Sequence, residues 1–191
     1  MRLLFVIPLL VVAACAAPKE HSGPDFSDPD FVITSVEGSQ MTRATKYKDD
    51  KIIEQGTLLN NKKHGVWTQY HPVVEGKAEK IEHYEFGLLH GATIDIQSSG
   101  QISRYQEFLH GKPDGLKVNH NFGKISDITP YSMGEIHGTF KGFYGNGKLQ
   151  QTIEYNRGKK HGLLIYYDDT GTPTLQYEYI NDEKQHSETL Q

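Results

Sequence analysis

The sequence predicts an all-β protein, an elongated antiparallel meander of stacked β-hairpin repeats with a period of about 24 residues. Three observations carry this expectation. The phrase aromatic-x-x-Gly-x-x-x-Gly recurs in phase as Tyr84, Gly87, Gly91; Phe108, Gly111, Gly115; Tyr131, Gly134, Gly138; and Tyr155, Gly158, Gly162. Gly 19, Tyr 11 and Phe 8 in 191 residues stand against a hydrophobic fraction of 36%, too thin for a thick two-layer core. Between the phrases, apolar residues alternate at period two, which is the pattern of a strand and not of a helix.

Taken in order, the chain opens on Met1-Arg2 and an apolar run from Leu3 to Ala14, shorter than the roughly 20 residues that span a bilayer. Residues 1–14 therefore read as a signal peptide. The run ends Val12-Ala13-Ala14-Cys15, which resembles the lipobox of bacterial lipoproteins. The resemblance implies cleavage between Ala14 and Cys15, acylation of Cys15 with palmitate-type chains, and a membrane partner reached through that lipid. Several chains, each contributing about 0.8 kcal/mol per buried CH₂, attach stably where one alone is marginal. Ala16 after the cysteine favours the outer membrane by analogy with the sorting rule of enteric lipoproteins, so the implied location is the bacterial cell envelope. Residues 15–30, with Pro18, Pro24 and Pro29, read as the acylated cysteine and a flexible tether.

Residues 31–191 hold the repeats. Degenerate copies flank the four regular ones, with Leu58, Asn61, Gly65 before them and Tyr179, Asp182, His186 after. Asn and Asp replace the first glycine there, and both tolerate positive φ, so that position is expected to be left-handed. After each second glycine a strand follows, with Val66, Thr68, Tyr70; Ala92, Ile94, Ile96; Leu116, Val118, His120; Thr139, Lys141, Phe143; and Leu163, Ile165, Tyr167 on the expected apolar face. Turn residues such as Ser98-Ser99-Gly100 and Gly145-Asn146-Gly147 come next, then a return strand such as Leu149 to Tyr155. The stretch from Gly138 to Leu149, followed by Tyr155 to Gly162, resembles the bacterial variant of the MORN repeat, a hairpin unit of the same length. The resemblance covers roughly residues 41 to 186. It implies a scaffolding role, and in some bacterial relatives an antitoxin-like one.

Chemistry-bearing residues are scattered. His64, His90, His137 and His161 each precede a repeat glycine. Equivalent positions in adjacent hairpins are expected about 10 Å apart, too far to share a zinc ion that each ligand approaches to about 2.1 Å. The sequence thus names no metal ligands and no cofactor; a non-equivalent pair such as His83 with His110 is the alternative. Lys62-Lys63-His64-Gly65 and Lys159-Lys160-His161-Gly162 read as solvated turns or as grips for phosphate headgroups. A net charge of −4 disfavours nucleic acid as a partner. No Gly-x-Ser-x-Gly or phosphate-loop motif occurs, and the single cysteine is assigned to the anchor. Asp95, Glu107 and Asp127 are the acids a hydrolase reading would use.

The second face of the outgoing strands carries Trp67, Phe140, Leu164 and Tyr166 among polar residues, a composition suited to a binding face. The expected function is a lipid-anchored, non-catalytic envelope scaffold presenting an extended β surface to a protein or glycan. An immunity protein that binds a toxin is the alternative, and a periplasmic hydrolase a distant one.

Overall fold

The computed structural model describes Phe26 and residues 28–190, and none of these is helical. The strands are β1 (Phe31–Ser35), β2 (Met41–Lys48), β3 (Lys51–Leu59), β4 (Lys62–Tyr70), β5 (Ala78–Glu85), β6 (Leu88–Ile96), β7 (Ile102–Leu109) and β8 (Lys112–Asn121). They continue as β9 (Lys124–Ser132), β10 (Glu135–Ile136), β11 (Gly138–Phe143), β12 (Leu149–Asn156), β13 (Lys159–Tyr167), β14 (Pro173–Ile180) and β15 (Glu183–Thr189). All fifteen join one antiparallel sheet whose spatial order is the chain order, with the short β10 pairing β9 off the main path. The protein is an elongated meander of hairpins.

The hairpin turns explain the first glycine of each phrase. Phe86-Gly87, His110-Gly111, Met133-Gly134 and Arg157-Gly158 are consecutive left-handed pairs, with φ of 48° to 55° at the first residue and 80° to 98° at the glycine. Two-residue turns of this hand match the twist of the flanking strands. The end copies keep the geometry with Asn60-Asn61 and Asn181-Asp182, so the left-handed position holds in all six repeats. The same amide also links neighbouring repeats. Gly87 N–H donates to Lys63 O at 2.8 Å, Gly111 to Leu89 at 2.7 Å, Gly134 to Pro113 at 2.8 Å, Gly158 to Ile136 at 2.8 Å and Asp182 to Lys160 at 2.9 Å. Each turn is thereby tied to the repeat before it.

The second glycine lies directly across from the next repeat's aromatic. Gly65 pairs with Tyr84, Gly91 with Phe108, Gly115 with Tyr131, Gly138 with Tyr155 and Gly162 with Tyr179. These glycines have φ of 73° to 107°, and on the other side of Gly65, Gly91, Gly115 and Gly162 the ladder shifts register. The period near 24 is therefore a pairing register: a bulge in one hairpin meets a ring in the next.

The folded body begins earlier than position 31. Phe26, expected in the tether, stacks edge-on against Phe31 with ring centroids 4.8 Å apart and lies 5.6 Å from the Trp67 ring. Its N–H donates to Asn61 O at 2.8 Å, and Lys46 pairs with Asp28 and Asp30 at 3.1 Å each. An aromatic ring able to bury its area on a core of Ala44, Leu58 and Trp67 outweighs the surrounding prolines and acids. The sheet likewise runs past both ends of the 41 to 186 stretch, through β1 and to Thr189.

Candidate functional site

The sheet has two faces whose polarity changes along its length. On one, cross-strand pairing lines up Trp67, Glu82, Thr93, Gln106, Lys117 and Thr129 in a transverse row. Farther on, Phe140, Ile153, Leu164 and Tyr177 form a second row on β11 to β14. Among the described residues, Trp67, Glu82, Thr93, Gln106, Thr129, Ile153 and Leu164 of these rows are buried. The opposite face carries Gln55, Thr68, Ile81, Ile94, Tyr105, Val118 and Ile128 in one continuous row. Its aliphatic middle is half-buried, and beside it Val66 and Leu116 are 50% and 44% exposed.

This inverts the expected roles. Trp67 and Leu164, assigned from sequence to a binding face, are 1% and 3% exposed and out of a partner's reach. Trp67 lies over Gly56, its indole N–H donates to Thr57 O at 2.9 Å, and Lys63 Nζ sits 4.0 Å from its ring centroid. Phe140 is half-buried, and Tyr166, at 37%, is the exposed member of the set, with Tyr177 edge-on at 6.3 Å. Alternation alone could not assign inside and outside, because a single-layer sheet offers side chains cover from neighbouring strands on both faces.

Next to the Trp67 row, Lys46, Glu54, Gln69, Lys80, Asp95, Arg104, Asn119 and Asp127 stand opposite one another in succession. Mixed signs at cross-strand distance satisfy each other. Arg104 meets Asp95 at 2.6 Å, and Asn119 and Ser126 donate to Asp127 at 2.8 and 2.9 Å. Glu107 is also engaged, accepting from the Leu116 amide at 2.6 Å and the Tyr105 hydroxyl at 2.8 Å. That hydroxyl bond, then burial, holds the Tyr105 phenol above its usual pKa. The three acids of the hydrolase reading are thus each bound into the sheet's own network. Lys63, from the first basic turn, pairs with Glu54 at 2.9 Å, while Lys160 of the second lies 5.2 Å from the Tyr179 ring.

A cleft of about 770 Å³ opens between the β2–β3 turn and the β4–β5 loop, lined by Lys48, Asp49, Lys51, Tyr70 and Glu75 among others. Lys51 and Glu75 pair across it at 3.2 Å.

The turn edge holds a cluster the sequence reading missed. Glu85 ends β5, His90 sits one residue before the bulge glycine of β6, and His110 opens the next repeat's turn. Their ligand-capable atoms all lie within 4.8 Å of one another. His83, the residue first matched with His110, instead bonds through Nδ1 to Ala92 O at 2.8 Å. The signal was present in the repeat alignment, in three positions that are not equivalent to one another.

The repeat-turn glycines Gly87, Gly111, Gly134 and Gly158 adopt the expected positive φ, and Gly91, Gly115, Gly138 and Gly162, for which the sequence set no such expectation, adopt it as well. Ala14 and Cys15 lie outside the described residues.

No protein-family model matches the chain, and no curated protein does. Among solved structures, TarM from S. aureus, in a mutant form in complex with Fondaparinux, alpha-GlcNAc-glycerol and UDP, is similar over 56% of this chain at 12% identity and a TM-score of 0.37. A second TarM structure is similar over the same share at 13% identity and the same TM-score. The matched region spans 21% of each of those chains.

Proposed function

We propose that this chain is a lipid-anchored, non-catalytic scaffold of the bacterial cell envelope that holds an extended β surface towards a protein or glycan partner. The observation that carries the reading is the row of Ile81, Ile94, Tyr105, Val118 and Ile128, continuous in register and half-exposed, with Val66 and Leu116 open beside it. Contiguous apolar surface of this kind marks interaction sites on soluble domains. Branched aliphatics in a straight row suit a protein segment better than a sugar, so a protein is the favoured partner. The in-phase glycines and aromatics support grouping the chain with MORN-type repeat proteins, and the Ala14-Cys15 junction supports the anchor at the outer membrane.

The test is crosslinking in intact cells, comparing the parent with an Ile94→Ser, Val118→Ser double variant of matched expression and melting temperature. A specific adduct that disappears in the variant is the expected result. An adduct pattern unchanged by the two substitutions would remove this row as the working surface.

A further inference from the structure

We propose that Glu85, His90 and His110 form a binding site for a divalent transition metal, with zinc as the ion the donors suit best. Two imidazoles and a carboxylate are the borderline nitrogen and oxygen ligands this ion takes, at about 2.0 to 2.2 Å each. Ligands of a tetrahedral ion at those lengths stand about 3.3 Å apart. Glu85 Oε2 and His90 Nδ1 are already 3.1 Å apart. The His90 and His110 rings meet edge to face at a centroid separation of 5.0 Å and an angle of 65°, and all three ligand atoms lie within 4.8 Å of one another. Side-chain rotation at a turn edge suffices to close the remaining gap.

Two further observations point to a ligand. His90 Nδ1 is buried yet makes no hydrogen bond. Glu85 Oε2 stands at ion-pair distance from it, 3.1 Å away, without a hydrogen bond between them. His64 Nδ1 is similarly placed one repeat earlier, but there the neighbouring ring is Phe86, with centroids 5.3 Å apart.

The repeat makes the coincidence readable. The position after the phrase aromatic, the position before the second glycine and the first turn position of the next repeat meet at one edge. In chain order these triples are Leu59, His64, Phe86; Glu85, His90, His110; Leu109, Asp114, Met133; Ser132, His137, Arg157; and Asn156, His161, Asn181. The second triple alone has a metal ligand of the carboxylate or imidazole type at all three places. In the third and fourth triples the middle residue serves the backbone, Asp114 Oδ2 accepting from Met133 N–H at 2.8 Å and His137 Nδ1 from Arg157 N–H at 3.5 Å. A bound ion staples two successive hairpin turns and keeps its fourth position for water.

The experiment is calorimetric titration of the full-length chain in detergent with zinc chloride at pH 7.5, alongside His90→Ala, His110→Asn and the repeat-equivalent control His161→Ala. Asparagine is chosen at position 110 because it tolerates the left-handed φ of 48° there. The expected result is one equivalent bound by the parent and the control, lost in the other two. Affinity should fall from pH 7.5 to pH 5.5, because protons compete with zinc for the imidazole nitrogens. Long-range ¹H–¹⁵N imidazole spectra of the unsubstituted chain should show zinc perturbing two histidine rings. Identical isotherms for the parent and His90→Ala, or imidazole shifts spread across the other histidines, would overturn the assignment.

Discussion

The carboxylate of Glu107 occupies the space that a side chain at position 115 would need. A Cβ built on Gly115 would collide with Glu107 Oε2 and come within 2.9 Å of the Glu107 Cβ. That oxygen accepts from the amide of Leu116 at 2.6 Å, so the glycine's missing side chain is replaced by a cap on its own bulge. Glu154 does the same at Gly162, accepting from Leu163 N–H at 3.0 Å. At Gly65 and Gly91 the equivalent residues Thr57 and His83 bond to the backbone carbonyls of His64 and Ala92.

Gly115→Ala is therefore expected to destabilise more than Gly158→Ala. Both place a Cβ at a positive φ, costing about 1 kcal/mol. Gly158 has open space around it, whereas the alanine at 115 also displaces the Glu107 cap, adding about 1 to 3 kcal/mol. Denaturant melts of the two variants decide this, and equal midpoints would show that the cap moves aside freely.

Gly56→Ala tests the first repeat's core. The added methyl would strike the indole of Trp67, the chain's single tryptophan. Overpacking at such a site costs about 1 to 3 kcal/mol. A red-shifted, more quenchable fluorescence should accompany the loss, and an unchanged emission maximum would mean that the ring is not held over the glycine.

Tyr84 supplies a pH dependence. Burial, and then the Glu82 carboxylate that its hydroxyl bonds at 2.9 Å, hold this phenol well above its ordinary value of 10. A folded-state value above the unfolded one gives stability that is complete below pH 10 and is lost as pH rises through the folded value. The melting temperature of the parent should accordingly drop more steeply between pH 9 and pH 11 than that of Tyr84→Phe. Parallel profiles would count against a protected phenol.

Cys15→Ser addresses the anchor. Serine cannot form the thioether to the lipid, so the variant should leave the membrane fraction or accumulate unprocessed. Membrane attachment as firm as that of the parent would refute the lipobox reading.

Much of this architecture was legible because the repeat is local. Tyr84 to Gly91 and its successors encode a turn, a bulge and the ring of the next hairpin within one period, and left-handed backbone leaves a mark that glycine, Asn and Asp make visible. The site was less legible. Glu85, His90 and His110 belong to three different positions of the phrase, and aligning like with like separates them by a whole repeat. Phe26 was hidden among prolines and acids because its worth depends on Trp67, which lies far along the chain.

The sequence by itself determined the all-β meander, its period and its left-handed turns, since each follows from the conformational limits of a few adjacent residues. Tertiary structure alone decided which face is packed, burying Trp67 and Leu164 while leaving Val66 and Leu116 open. The reason is that burial in a single-layer sheet is set by cross-strand neighbours, and a side chain's own hydrophobicity does not say which neighbours the register will bring.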